Sequence, residues 1–161
     1  MRIRLLVFTI ILIILSILCF FEYGELNEVE AIDEVQTINY LPIDEYEMHL
    51  LAKIAMAEAE GESLEGKVLV MNVVLNRVHS QQFPDTIEEV IFQKNQFSPI
   101  IDGRFDKVTP NDECWEALEL VRTGYDISYG ALYFISDMDP NSWHNRNLEA
   151  LFVEGNHKFY K

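Results

Sequence analysis

An α+β fold, with about four helices followed by a short antiparallel sheet and preceded by one apolar N-terminal helix, is predicted by three features of the sequence. Apolar residues recur at helical spacing between positions 44 and 124, with capping residues at the starts. Runs rich in aromatic and aliphatic residues, Gly130 to Ile135 and Ala150 to Val153, follow near the C-terminus. Ahead of both lies Leu5 to Phe21, which carries no charge.

That apolar run follows Arg2 and Arg4 and precedes Glu22 and Glu25. Positive residues stay on the cytoplasmic side, so the remainder is expected outside the cytoplasmic membrane. At about 1.5 Å per residue the run spans about 25 Å, short for a transmembrane helix and long for the core of a signal peptide. Small residues suited to cleavage are lacking just after it, Val29-Glu30-Ala31 being the best candidate, so residues 1–22 read as a signal-anchor. A cleaved signal, or a lipid at Cys19, are the alternatives. Residues 23–42 are an acidic spacer, and 43–161 form the folded domain.

In that domain the first helix takes Asp44 as N-cap, carries Met48, Leu51, Ile54 and Ala55 on its apolar face and stops at Gly61. The second runs from Leu64 to His79 behind Ser63. It is rich in β-branched residues, so burial must hold it helical. Thr86-Ile87-Glu88-Glu89 is a capping box opening a third helix that ends near Lys94. Asn95 to Lys107, with Pro99 and Gly103, reads as irregular. Thr109 and Pro110 open a fourth helix that ends at Gly124, and strands are expected at 130–135, 150–153 and 158–160.

The chain holds 27 acidic and 12 basic residues, a formal charge of −15, which makes nucleic acid an unsuitable partner, because binding its phosphates needs a basic patch. Cys114 is the only cysteine of the soluble part, so the domain is held by packing without an internal disulfide, and beside Trp115 it reads as a small buried hydrophobe. Trp143, His144 and His157 lack metal-ligand spacing, and no cofactor is expected.

The densest cluster of acid groups is Glu58, Glu60, Glu62 and Glu65. In a continuous helix Glu58 and Glu62 share a face, and a second charge together with contact to Met56 or Ile54 would raise a carboxyl pKa. An acidic run at a helix end is usually a solvated surface, but it opposes the helix dipole. Asn76-Arg77 either favours the dipole at the end of the second helix or braces Glu58. Tyr133, Phe134, Trp143, Phe159 and Tyr160 supply ring faces for the core or for stacking on sugars.

In order along residues 47–161, Ala57-Glu58-Ala59-Glu60-Gly61-Glu62, Glu65-Gly66, Val73-Val74-Leu75-Asn76-Arg77-Val78, Gln96-Phe97-Ser98, Gly130-Ala131-Leu132-Tyr133-Phe134, Trp143 and Gly155 to Lys161 resemble the spore cortex-lytic and cell-wall hydrolases of the SleB/CwlJ type. The resemblance implies a small lysozyme-like, resuscitation-factor-like domain that cleaves peptidoglycan glycan strands between N-acetylmuramic acid and N-acetylglucosamine by lytic transglycosylation. It implies Glu58 as the catalytic acid. Asn76, Gln96, Ser98, Tyr133, Trp143 and His157 are the candidates for orienting sugar or acid. The alternatives are a hydrolytic muramidase on the same scaffold, with Glu62 or Glu65 as second carboxylate, or a wall-binding module without activity.

Overall fold

The computed structural model describes residues 41–136 and 141–161; the anchor and most of the acidic spacer expected from the sequence lie outside the described residues. No described helix is long and apolar enough to cross a membrane.

Helix α1 (Glu45–Glu58) begins with the reciprocal cap its sequence predicts: Asp44 Oδ1 accepts from Glu47 N–H at 2.8 Å, and the Glu47 carboxylate accepts from Asp44 N–H at 3.2 Å. Leu50, Leu51, Ile54 and Ala55 enter the core. The helix stops at Glu58, with Ala59 as its cap, three residues before the predicted stop. Glu62 therefore lies in the connecting turn and shares no helix face with Glu58, which corrects the expectation drawn from helical spacing.

Helix α2 (Leu64–Val78), capped by Ser63, is buried almost all round, from Gly66 through Val74. On one side Val68, Met71 and Val74 join α1 in the larger apolar cluster; on the other Leu69 and Val73 pack with Ala131 and Phe159. Burial on both sides is what keeps so many β-branched residues helical.

Helix α3 (Ile87–Phe92) is capped by Thr86, but the Glu89 carboxylate accepts from the Thr86 hydroxyl at 3.0 Å in place of the backbone N–H that a full capping box would use. The stretch expected to be irregular holds two short helices, α4 (Ser98–Asp102) and α5 (Arg104–Lys107), separated by Gly103 at φ 77°. Pro99 suits the first turn of α4, where its missing N–H costs nothing. Helix α6 (Asp112–Arg122) starts later than predicted, because Asn111 and not Thr109 supplies the cap, accepting from Cys114 N–H at 3.0 Å. Cys114 is fully buried.

The sheet has the order β1-β3-β2, all antiparallel, from β1 (Tyr133–Ile135), β2 (Ala150–Glu154) and β3 (His157–Tyr160). A one-turn helix, α7 (Trp143–Asn147), capped by Ser142, precedes β2 and was not expected from the sequence. The β2–β3 turn is fastened to the α1–α2 turn: Glu62 accepts from Asn156 N–H at 3.3 Å and from Asn156 Nδ2 at 2.8 Å.

Gly155 sits at φ 55°, and a Cβ there would run into the Glu62 carboxylate. Gly155→Ala is expected to lower unfolding stability in urea by about 1–2 kcal/mol, through left-handed strain and a displaced Glu62. Gly61→Ala, where a Cβ meets open space, should change it by less than about 0.5 kcal/mol.

Candidate active site

Glu58 is the last residue of α1, so its side chain leaves the helix where the backbone carbonyls have no helical partners. Arg104 fills that need. Its Nη1 donates to Ala57 O at 3.0 Å, its Nη2 to Ser98 Oγ at 3.2 Å and its Nε to Asp102 Oδ2 at 2.8 Å. One guanidinium thus ties the end of α1 to α4 and places positive charge at a helix C-terminus, where the dipole favours it.

Burial pushes the Glu58 carboxyl up to about 7, and the charge of Asp102 adds to the push. The charge of Arg104, a hydrogen bond with the Ser98 backbone and the charge of Arg77 pull the other way. The neighbouring carboxylate that matters is Asp102; the sequence had pointed to Glu62. A group with this balance is protonated in part at neutral pH and can both give and take a proton.

Glu58 opens onto a cleft of about 620 Å³. Its helical wall is made by Asn95, Gln96, Ser98 and Ile101, and its sheet wall by Tyr133, Phe134, Ile135 and Ser136, with Arg77, Trp143, His144 and His157 completing it. Gln96, Ser98, Tyr133, Trp143 and His157, separated widely in sequence, are therefore brought together with Glu58. Trp143 is 56% exposed and presents a free ring, set edge-on to His144.

Asn76 does not join them in the lining. Its Nδ2 donates to Ser128 Oγ at 2.8 Å and to Ala131 O at 3.0 Å, which makes it a fastening for the segment that feeds β1. Asn72, one turn earlier, accepts from Ile127 N–H and donates to Tyr125 O. Arg77 continues the series by donating from Nε to Leu132 O at 2.7 Å.

His157 is buried; its Nδ1 lies 4.0 Å from Glu62 Oε1, and burial lowers its pKa while the Glu62 charge opposes that shift. Glu62 thus supports a cleft residue from behind and does not line the cleft itself. Arg104 was not among the site candidates read from the sequence; Arg77 was read there as a dipole-favouring cation or a brace for Glu58, and His144 was weighed only as a metal ligand. Asp102-Gly103-Arg104 carried no motif signal, and the position of Arg104 depends on the left-handed Gly103 that turns α4 into α5.

Residues 61–160 match the model of the Cell Wall Hydrolase family. The chain is 39% identical over 98 residues to a spore cortex-lytic enzyme of Oceanobacillus iheyensis, covering 60% of this chain and 35% of that protein. Against the spore cortex-lytic enzyme of Bacillus subtilis the identity is 36% over 98 residues, with 60% and 32% covered. The chain thus spans about a third of the length of these relatives. It is also 30% identical over 122 residues to the cell wall hydrolase CwlJ of B. subtilis, covering 71% of this chain and 84% of that protein. Among solved structures, the catalytic domain of the germination-specific lytic transglycosylase SleB from Bacillus anthracis superposes with a TM-score of 0.66 at 30% identity, covering 74% of this chain and 98% of that one. The catalytic domain of the Bacillus cereus SleB protein gives 0.67 at 30% identity, with 78% and 97% covered.

The buried Glu58 carboxyl binds its proton more tightly folded than unfolded, so its contribution to stability is full below the unfolded pKa of about 4.5 and is lost as pH rises through about 7. Glu58→Gln should accordingly unfold like the wild type at pH 4 and be more stable by up to about 3 kcal/mol at pH 8, measured by urea denaturation. Arg104→Ala, which removes the opposing charge, should move the Glu58 titration further up in carboxyl-carbon NMR.

Proposed function

Because the chain belongs to the Cell Wall Hydrolase family, we propose that it cuts the glycan strands of peptidoglycan by lytic transglycosylation between N-acetylmuramic acid and N-acetylglucosamine, with Glu58 as acid and base. The observation that carries this reading is the isolation of Glu58: among the described residues it is the one carboxyl that lines the cleft. Asp102 is turned to Arg104, accepting from its N–H and Nε, and Glu62 to Asn156. A two-carboxylate hydrolysis needs a second acid on the far side of the sugar ring, whereas transglycosylation needs one group in both roles.

Protonated Glu58 donates to the glycosidic oxygen as the C1–O bond of N-acetylmuramic acid breaks, releasing the N-acetylglucosamine hydroxyl. The resulting carboxylate, in reach of the charges of Arg104 and Arg77, then takes the proton of the muramic 6-hydroxyl, whose oxygen bonds to C1. A 1,6-anhydro end forms, and Glu58 is protonated again. Gln96 and Ser98 on one wall, with Tyr133 and Trp143 on the other, hold the sugars, the rings by stacking on apolar sugar faces. His157 completes that wall. The lysozyme-like reading of the fold is supported by an acid at a helix end facing a three-stranded sheet.

We place the domain outside the cytoplasmic membrane, held by residues 1–22, on the basic-then-apolar order of that segment. The substrate is wall or spore cortex peptidoglycan; the names borne by the relatives support both.

Incubation with purified peptidoglycan followed by mass spectrometry of the soluble products tests the chemistry. Anhydromuramic ends are expected from the wild type, and Glu58→Gln should be slower by about 10²–10⁴-fold. Reducing ends would replace this reading with a muramidase, and no release would replace it with a wall-binding module. The rate kcat/KM should fall about tenfold per pH unit above pH 7, as Glu58 loses its proton. Surface labelling of intact cells should reach the domain, and an inaccessible domain would overturn the placement.

A further inference from the structure

Arg77 is 3% exposed and belongs to the cleft wall. Its guanidinium carbon lies 4.9 Å from the ring centre of Phe83, 4.9 Å from that of Phe97 and 5.6 Å from that of Tyr133. With Nε bonded to Leu132 O, three rings and one carbonyl fix the plane of the group. Yet Nη1 is buried without any acceptor. In a chain with 27 acidic residues against 12 basic ones, Arg77 makes no ion pair among the described residues.

A buried donor left unmatched costs free energy, and a guanidinium immobilised in this way cannot turn to find water. The cost is recovered when a ligand brings the missing oxygen. Glu58, whose carboxyl is raised to about 7 by burial, makes no ion pair with Arg77 among the described residues.

We propose that Arg77 is a specificity residue whose unmatched Nη1 receives a carbonyl oxygen carried by the sugar seated against Glu58. This rests on the glycan-cleaving reading above. A substituted sugar of this polymer offers two such oxygens, the carbonyl oxygen of the 2-acetamido group and the carbonyl oxygen of the lactyl group. Both present a planar acceptor, and sugars without them leave the donor unmatched. Ring hydroxyls, which rotate freely and accept more weakly, do not replace a carbonyl at a fixed cation.

Binding is measured by calorimetry on the 1–161 chain carrying Glu58→Gln, so that no strand is cut. The probes are peptide-free peptidoglycan strands, the same strands de-N-acetylated, and the same strands with the lactyl carboxyl reduced to the alcohol. The expected result is about a tenfold or greater loss of affinity for one of the two modified strands, and that strand names the oxygen. Added Arg77→Lys and Arg77→Gln should each weaken the unmodified strand and abolish the discrimination, so that all strands bind alike. Equal affinity of all three strands for the Glu58→Gln chain, or discrimination that survives both Arg77 substitutions, would overturn the proposal and leave the three rings as the partners of the guanidinium. If no strand binds at all, the glycan reading itself falls and takes this one with it. Should the Arg77 variants not fold, the Arg77 Nε–Hε signal in ¹⁵N spectra decides: it is expected to shift with the unmodified strand and not with the strand lacking the partner oxygen, and an equal response to both overturns the assignment.

Discussion

Asn72 and Asn76, one turn apart on α2, and Arg77 next to them hold the backbone of residues 125–132 by side-chain hydrogen bonds. That segment has no regular structure of its own before β1, so its course depends on these bonds. Because α2 also packs against α1 through Val68, Met71 and Val74, the same helix sets the position of the sheet relative to Glu58. The cleft is the gap left between two bodies registered on a common rod. The ties are buried at Arg77 and part-buried at Asn72 and Asn76, which raises the penalty for leaving them unmade and so narrows the set of loop conformations that the chain can adopt.

The electrostatics of the cleft run against the character of the whole chain. The sequence carries a formal charge of −15, but the groups that act most directly on Glu58 include two guanidiniums, at Arg104 and Arg77. Burial alone would keep the carboxyl neutral, which suits an acid and hinders a base. The cations limit that penalty, so that the deprotonated form stays accessible near neutral pH. The opposed local forces leave one carboxyl able to hold or release its proton near neutral pH, which the proposed acid and base roles require.

Much of this was legible in the sequence where the signal is local. Asp44 and Ser63 mark their helix starts because a cap bonds within three residues, and the stripe of α2 follows from its periodicity. The motif around Glu58 singled out the carboxyl that the fold places in the cleft. Helical spacing failed at Glu62, because periodicity says nothing of where a helix ends once the cap is not a glycine. Helices α4, α5 and α7 are one turn or little more, too short to be stable through propensity, and are held by contacts distant in sequence such as Arg104 with Ala57. Asn76 looked like a site residue for an understandable reason: it sits beside Arg77, which does line the cleft, but successive helical residues face different ways.

Lys67 is fully buried, and its ammonium donates to Glu62 O at 2.7 Å and to Glu113 Oε2 at 2.9 Å, so a single side chain joins the turn after α1, the helix α2 and the start of α6. Sequence drift at this place is therefore constrained in pairs. Losing Glu113, whose side chain is half exposed, leaves the buried ammonium with the Glu62 carbonyl alone, and losing Lys67 leaves both a cavity and an unmatched carbonyl, so each single step has a cost. Among lineages of this fold, positions 67 and 113 should have changed together or hardly at all.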